Sequence, residues 1–291
     1  MSNFAYGDIV QLTDTKGRMY RVQLRENHEF HTHRGHIQHN DIVGKPDGSV
    51  ITSSNNNKYL AFKPLLLDQV LSMKRGAAVI YPKDSATILI EADVFPGATV
   101  VEAGAGSGGL TLYLLRAVGE NGKLISCEVR EDFASIARLN VEQVYGEHLP
   151  NWDLRNTDFI SAMEDIENAS IDRVVLDMLA PWECLRTATR IMKPGGVLAV
   201  YVATTTQLSR TVETLRLLQN WAEPRSQETL VRLWHVEGLS VRPEHRMSGH
   251  TGFVVTARRL AGDAEGFQLK RKPAPGAYGE DWLPPEMGQD A

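Results

Sequence analysis

Hydrophobic and polar residues alternate in short runs over the first fifth of the chain and then change period. Residues 8–14 (DIVQLTD), 18–24 (RMYRVQL), 36–44 (HIQHNDIVG) and 49–54 (SVITSS) have strand-like patterns, separated by TKG and PDG turn signals. They predict a small antiparallel barrel or sandwich. A polar run from Ser53 to Lys58 follows, and then residues 62–76 (FKPLLLDQVLSMKRG) have helical spacing, with Pro64 near the start and Gly76 past the end. This segment reads as a connector. From about residue 97, apolar runs at 99–104, 123–129, 153–158, 173–178 and 195–202 alternate with helical stretches at 110–119, 131–146, 182–192 and 208–221. Such alternation predicts βαβ units around a parallel sheet. Residues 229–238 and 252–260 look like two further strands, antiparallel at one sheet edge.

The expected organisation is a β-rich domain over residues 1–62, an α/β domain over 63–260 and a flexible C-terminal tail over 261–291, rich in Pro and Gly. The chain of 291 residues is 42% hydrophobic, enough for a sizeable core, so a disordered or fibrous protein is not expected. No window approaches the roughly 18 to 20 continuous apolar residues that cross a bilayer. No membrane association is expected. The two cysteines, Cys127 and Cys184, and the lack of a signal-like N-terminus suggest a reducing, cytoplasmic location. Net charge is 31 − 36 = −5, so any nucleic-acid face has to be a local patch.

The chemistry concentrates after the strand at 99–104. Glycines in Glu102-Ala103-Gly104-Ala105-Gly106-Ser107-Gly108 allow a tight turn and close approach to a ligand, and the following helix offers free N–H groups. Glu128 ends the next strand 24 residues after Gly104, where an acid typically accepts from ribose hydroxyls. A dinucleotide site looks similar, but the spacing is E-x-G-x-G-x-G and no Tyr-x-x-x-Lys pair follows. Asp158-Phe159 stands after the third strand, either as a ligand pair or as a helix cap with a core ring. Asp177 ends the fourth. Open parallel sheets collect ligands at strand C-termini, so these acids are expected to converge on one crevice.

Together with Tyr81-Pro82-Lys83-Asp84, Asp177-Met178-Leu179-Ala180-Pro181-Trp182 and Gly249-His250-Thr251-Gly252-Phe253, the glycine turn resembles that of S-adenosylmethionine-dependent methyltransferases of the Rossmann-like class I type. More closely, the combination is similar to the single-chain bacterial and archaeal tRNA (adenine-N1) methyltransferases acting at T-loop position 58. Met178 and Leu179 depart from the family's usual D-L-P-x-P. The resemblance implies that Gly104, Gly106, Ser107 and Leu110 line the methionine side of S-adenosylmethionine. Glu128 would hold its ribose, and Asp158 with Phe159 its adenine. Asp177 would be the catalytic group facing the target adenosine. Tyr81, Trp182, Arg246 and His250 are candidate tRNA-binding residues, with Arg242, Arg258 and Arg259 as further basic candidates. It also implies a homotetramer.

Five of the nine histidines lie within residues 28–39 (His28, His31, His33, His36 and His39), but no cysteine accompanies them and the spacing fits no standard zinc module. No metal is expected. Two rival functions stand beside tRNA methylation: a methyltransferase acting on a protein carboxylate or small molecule, and a non-catalytic RNA-binding subunit. The second predicts erosion of the glycine turn or of Asp177, and both are intact.

Overall fold

The computed structural model describes residues 3–262 and 276–277, and the chain divides into two compact units, Met1–Ser72 and Met73–Ala291. Nearly all of the expected tail at 261–291 lies outside the described residues.

The first unit contains β1 (Ile9–Asp14), β2 (Met19–Gln23), β3 (Glu29–Thr32), β4 (Gly35–Gln38), β5 (Ser49–Thr52), β6 (Lys58–Phe62) and α1 (Leu66–Ser72). Four strands form an antiparallel sheet in the order β2-β1-β6-β5, and β3 pairs with β4 as a separate hairpin. The in-facing positions of β1, Val10 and Leu12, join Phe4, Leu24, Ile51 and Tyr59 in one apolar cluster. Three expectations change here. The run at 36–44 is a strand only to Gln38, because His39–Asp41 turn into a 3-10 helix. β6 is an unexpected strand: it begins at Lys58, the last residue of the polar run, alternates exposed and buried positions, and takes in Phe62 from the start of the expected helical segment. The first unit also extends beyond residue 62 through α1, whose Ser72 hydroxyl accepts from the Arg21 guanidinium on β2 at 3.1 Å.

The second unit runs α2 (Pro82–Glu91), β7 (Thr99–Ala103), α3 (Gly109–Val118), β8 (Lys123–Cys127), α4 (Glu131–Tyr145), β9 (Trp152–Arg155), α5 (Phe159–Ala162), β10 (Ile171–Asp177), α6 (Leu185–Ile191), β11 (Met192–Val202), α7 (Thr205–Leu218), β12 (Arg225–Gln227), β13 (Trp234–Glu237), β14 (Ser240–Pro243) and β15 (Phe253–Arg258). Seven strands form one sheet in the order β12-β15-β11-β10-β7-β8-β9. The five from β9 to β11 are parallel, and β15 runs antiparallel to both its neighbours.

Their apolar runs, such as Val174, Val175 and Leu176, are fully buried, as strands covered on both faces require. The chain winds outward from β7 to β9 and then returns to β10 beside β7. That reversal opens a crevice at the strand C-termini. The edge expectation is corrected. Residues 229–238 do not join the sheet; β13 pairs with β14 in a separate hairpin, and the partner of β15 is the three-residue β12. A polar triplet, Arg-Ser-Gln, carries too little periodicity to read as a strand.

Candidate functional site

The crevice is a cavity of about 750 Å³ at the carboxyl ends of β7, β8 and β10. Its floor is the glycine turn. Gly104, Gly106 and Gly108 have φ of +78°, +55° and +83°, a left-handed path that brings the backbone round from β7 into α3. Gly108 occupies the N-cap position of α3.

Glu128 is buried beside the turn. Its carboxylate accepts from the Gly106 N–H at 2.8 Å and from the Arg130 N–H at 3.0 Å. Glu102, further down β7, is also buried; its Oε2 accepts from the Thr111 and Ser126 hydroxyls at 2.7 and 2.8 Å, and its Oε1 has no partner. Burial pushes the Glu102 carboxyl up to about 7, against the lowering effect of those hydroxyls and with help from the Asp177 and Glu128 charges. Asp177 ends β10. Burial first, and the Glu128 charge second, push its carboxyl to about 7 as well. Three carboxyl groups therefore repel one another around a turn that supplies N–H dipoles but no cationic side chain in the cavity's interior; Arg130 stands at the wall with its side chain largely exposed.

The opposite wall is apolar. Phe159, Ile160, Met178 and Cys184 line it, with Asp158 at the start of α5. Asp158 caps that helix by accepting from the Ser161 N–H at 3.0 Å, and the hydrogen bonds from Ser161 hold its carboxyl below the usual range. Both readings of Asp158-Phe159 therefore coexist: a cap with a buried ring, and a pair facing the cavity. Cys127 and Cys184 have thiols pushed to about 12 by burial, so neither is a nucleophile.

Of the residues singled out in the sequence, Gly104, Gly106, Glu128, Asp158, Phe159 and Asp177 line this cavity. Ser107 does not; its hydroxyl oxygen accepts from the Gly76 and Ala77 N–H groups at 3.0 and 3.1 Å and so holds the segment before α2 against the turn. Leu110 is buried in α3, away from the cavity wall. Trp182 also lies off the wall, packed on the core with Arg210 4.3 Å from its ring. Tyr81 is exposed just ahead of α2, its extended backbone set by the proline that follows.

His250 is occupied by the protein itself. Its two ring nitrogens lie 2.5 Å from a Glu228 carboxylate oxygen and 2.8 Å from the Ala203 carbonyl. The Ala203 carbonyl first, and the Glu228 carboxylate second, raise its pKa above the ordinary histidine value. Arg246 is exposed in the loop after β14. Arg259 is spent on the carbonyls of Thr189, Asn220 and Leu260, and Arg258 on that of Gly195. Among the described residues no group of three or more His, Cys, Asp or Glu side chains could hold a metal ion. In the histidine cluster, His39 is buried and accepts from the Arg25 N–H, while His28 stacks on it.

Sequence reasoning missed Ala77, Ala78 and Ile160 in the wall. Small or apolar residues carry no chemical signal of their own. They became wall residues only through the Ser107 bridge and the α5 cap.

A family model described as "tRNA methyltransferase complex GCD14 subunit" matches residues 59–248, and one described as "TrmI-like N-terminal" matches residues 3–51. This chain belongs to the GCD14/TrmI family of tRNA methyltransferases. The tRNA (adenine(58)-N(1))-methyltransferase TrmI of Thermus thermophilus is 35% identical over 85% of this chain and 95% of its own length. The tRNA (adenine(57)-N(1)/adenine(58)-N(1))-methyltransferase TrmI of Methanocaldococcus jannaschii is 32% identical over 85% and 93%. Among solved structures, a SAM-dependent O-methyltransferase from Thermotoga maritima superposes with a TM-score of 0.83 at 30% identity, covering 90% of this chain and 97% of that one. The sheet order and the glycine turn thus belong to the class I methyltransferase fold shared across the family.

Proposed function

We propose that this enzyme transfers a methyl group from S-adenosylmethionine to N1 of the adenosine at position 58 in the T-loop of tRNA. The observation that carries this reading is the meeting of Asp177 with the glycine turn and Glu128 in one cavity, in a chain aligned along most of its length with adenine-58 methyltransferases.

The cavity fits the cofactor in charge and shape. Glu128 and Asp177 line the cavity, and Arg130, the cationic side chain at its wall, is largely exposed and 3.7 Å from Glu128; this acidic lining suits a ligand bearing a cationic sulfonium and an ammonium. When bound, S-adenosylmethionine supplies an electrophilic methyl group. Gly104 and Gly106 would give backbone contact to its methionine part. Glu128, already oriented by two N–H groups, retains lone pairs for ribose hydroxyls. Asp158 and Phe159 would take the adenine.

Adenine N1 has an in-plane lone pair, but methylation leaves a cation until the neighbouring amino group sheds a proton. Asp177 is suited to accept a hydrogen bond from that amino group, which turns N1 towards the methyl and stabilises the developing positive charge. Its carboxyl at about 7 also makes it a competent acceptor for the departing proton near neutrality. The target base has to leave its stack first, at a cost of a few kcal/mol. We assign tRNA contacts that offset this cost to Tyr81 and Arg246, which are exposed; Trp182 packs on the core, and His250, though exposed, has both ring nitrogens engaged by Glu228 and Ala203.

A homotetramer accords with the exposed apolar side chains of the β13–β14 hairpin, Trp234, Val236, Leu239 and Val241. Among the described residues no helix is long and apolar enough to cross a membrane, and two free cysteines suit a cytoplasmic enzyme.

The Thermotoga protein's description as an O-methyltransferase favours a second reading, in which the same cofactor site serves an oxygen acceptor. Incubation with labelled S-adenosylmethionine and unmodified tRNA, followed by nucleoside analysis, separates the two. Label in N1-methyladenosine at position 58 is expected. Label absent from tRNA but present in a carboxylate or hydroxyl acceptor would overturn the proposal.

A further inference from the structure

Between β12 and β15 the chain leaves the sheet for more than twenty residues, forms the β13–β14 hairpin and returns. The two ends of this excursion are pinned at one place. The Lys83 ammonium, at the start of α2, donates to the Thr229 carbonyl on the outgoing segment at 2.6 Å and to the Thr251 hydroxyl on the returning segment at 2.6 Å. Its third bond goes to Asp84 Oδ1 at 2.7 Å. The circuit closes when Thr251 donates to Asp84 Oδ2 at 2.7 Å. Asp84 is fully buried, and every donor of the ammonium is used. One residue earlier in each segment, Glu228 pairs with His250.

This neck reaches the strand beside the site. Gly252 follows Thr251, and a Cβ there would sit 2.4 Å from Cζ and 2.6 Å from the hydroxyl of Tyr201, so the backbone at Gly252 packs against the hydroxyl end of that ring. Tyr201 is the register partner of Asp177 on the adjacent strand, and the two side chains share one face of the sheet.

We propose that Lys83 and Asp84 are positioning residues: through Thr251 they staple the neck of the hairpin arm and fix Tyr201 beside Asp177. The arm presents exposed Trp234, Leu239 and Arg242 to whatever it contacts, so the staple ties that contact to the geometry of the acceptor side of the site. The lining of the cofactor cavity contains none of the staple's residues.

Removing either member of a buried ion pair risks unfolding, so the test uses Thr251. Thr251→Val keeps the shape and loses both hydroxyl bonds; Thr251→Ser keeps the hydroxyl. Hydrogen exchange of residues 228–252 reads the staple directly. Faster exchange in the arm of Thr251→Val, with residues 99–128 unchanged, is expected, together with recovery in Thr251→Ser. The kinetic part rests on the tRNA-methylating reading above: Thr251→Val is expected to lower kcat about 10- to 100-fold while KM for S-adenosylmethionine stays within about twofold. Unchanged arm exchange, equal damage from Val and Ser, or wild-type kcat despite a loosened arm would each overturn the proposal. A wild-type enzyme that leaves tRNA unmethylated sinks the functional reading instead, and the exchange data then decide the staple alone.

Discussion

Gly104 lies so close to Asp177 that a β-carbon on it would sit 1.9 Å from the Asp177 carbonyl oxygen. The glycine turn and the end of β10 are therefore in backbone contact, and the distance between the turn and Asp177, the proposed acceptor carboxylate, is set by the absence of one methyl group. Gly104→Ala has to push the strands apart as well as occupy a left-handed φ of +78°. We expect a stability loss of about 2 kcal/mol or more and cofactor binding weakened at least about tenfold. Thermal unfolding and calorimetric titration measure both.

Asp177 gives the enzyme a pH limb. Its carboxyl titrates near 7 in the ligand-free protein, so below that pH the acceptor form is the minority and activity falls as pH falls. A bound cation opposes the Glu128 repulsion, so the limb in kcat lies at lower pH than that in kcat/KM. Asp177→Asn removes the limb and lowers kcat by about 10² to 10⁴. A pH–rate profile of the two proteins on tRNA checks this; retention of the limb in the Asn variant would assign it to another group.

Glu102 makes a stability prediction with the opposite sense. Its folded value, about 7, is raised above the ordinary 4.5, so the folded state binds the proton more tightly than the unfolded chain. Its contribution is whole below about 4.5 and is lost as pH rises to about 7, a span worth about 3 kcal/mol at most. Glu102→Gln keeps a neutral group at all pH values. The variant's Tm should gain on wild type between pH 5 and pH 8, and equal pH dependence of the two proteins would contradict the assignment.

Glu128 should be read out by affinity. Charge-assisted hydrogen bonds contribute about 1.5 to 3 kcal/mol, so Glu128→Ala is expected to weaken S-adenosylmethionine binding by about 10- to 150-fold. Because Glu128 also steadies Gly106, Glu128→Gln, which retains one acceptor oxygen, should recover part of the loss. Full affinity in Glu128→Ala would remove Glu128 from the ribose site.

The hairpin arm provides a test of assembly. Leu239 is wholly exposed at its tip, and Val236, Val241 and, at the base of the hairpin, Trp234 are exposed as well. If this face joins subunits, Leu239→Lys should dissociate the oligomer. Sedimentation velocity distinguishes the states, and an unchanged mass would direct the search to another face.

Much of this architecture was legible in the sequence because its signals are local. The buried strands around Val101 and Val175 are continuous apolar runs, and the glycine turn declares its own backbone geometry. Glu128 and Asp177 were found because both follow such runs. Signals that depend on distant partners were lost. β12 is too short and polar to recognise, β6 is five residues wedged between a polar run and a helical pattern, and Ser107 looks like a cofactor contact until Gly76 and Ala77 are seen bonded to its hydroxyl. The setting of His250 was hidden for the same reason: Glu228 and Ala203, to which its ring nitrogens bond, are 22 and 47 residues away.

The position of β15 has a consequence for assembly. This strand is synthesised after every other member of the main sheet, yet its place is between β11 and β12. Until it arrives, β11 has a bare edge and β12 has no neighbour. The half that includes the glycine turn can form early from successive βα units, whereas the half that includes Tyr201 waits for the closing strand. Nascent chains should acquire the ability to hold a nucleoside before the ability to present it with a base.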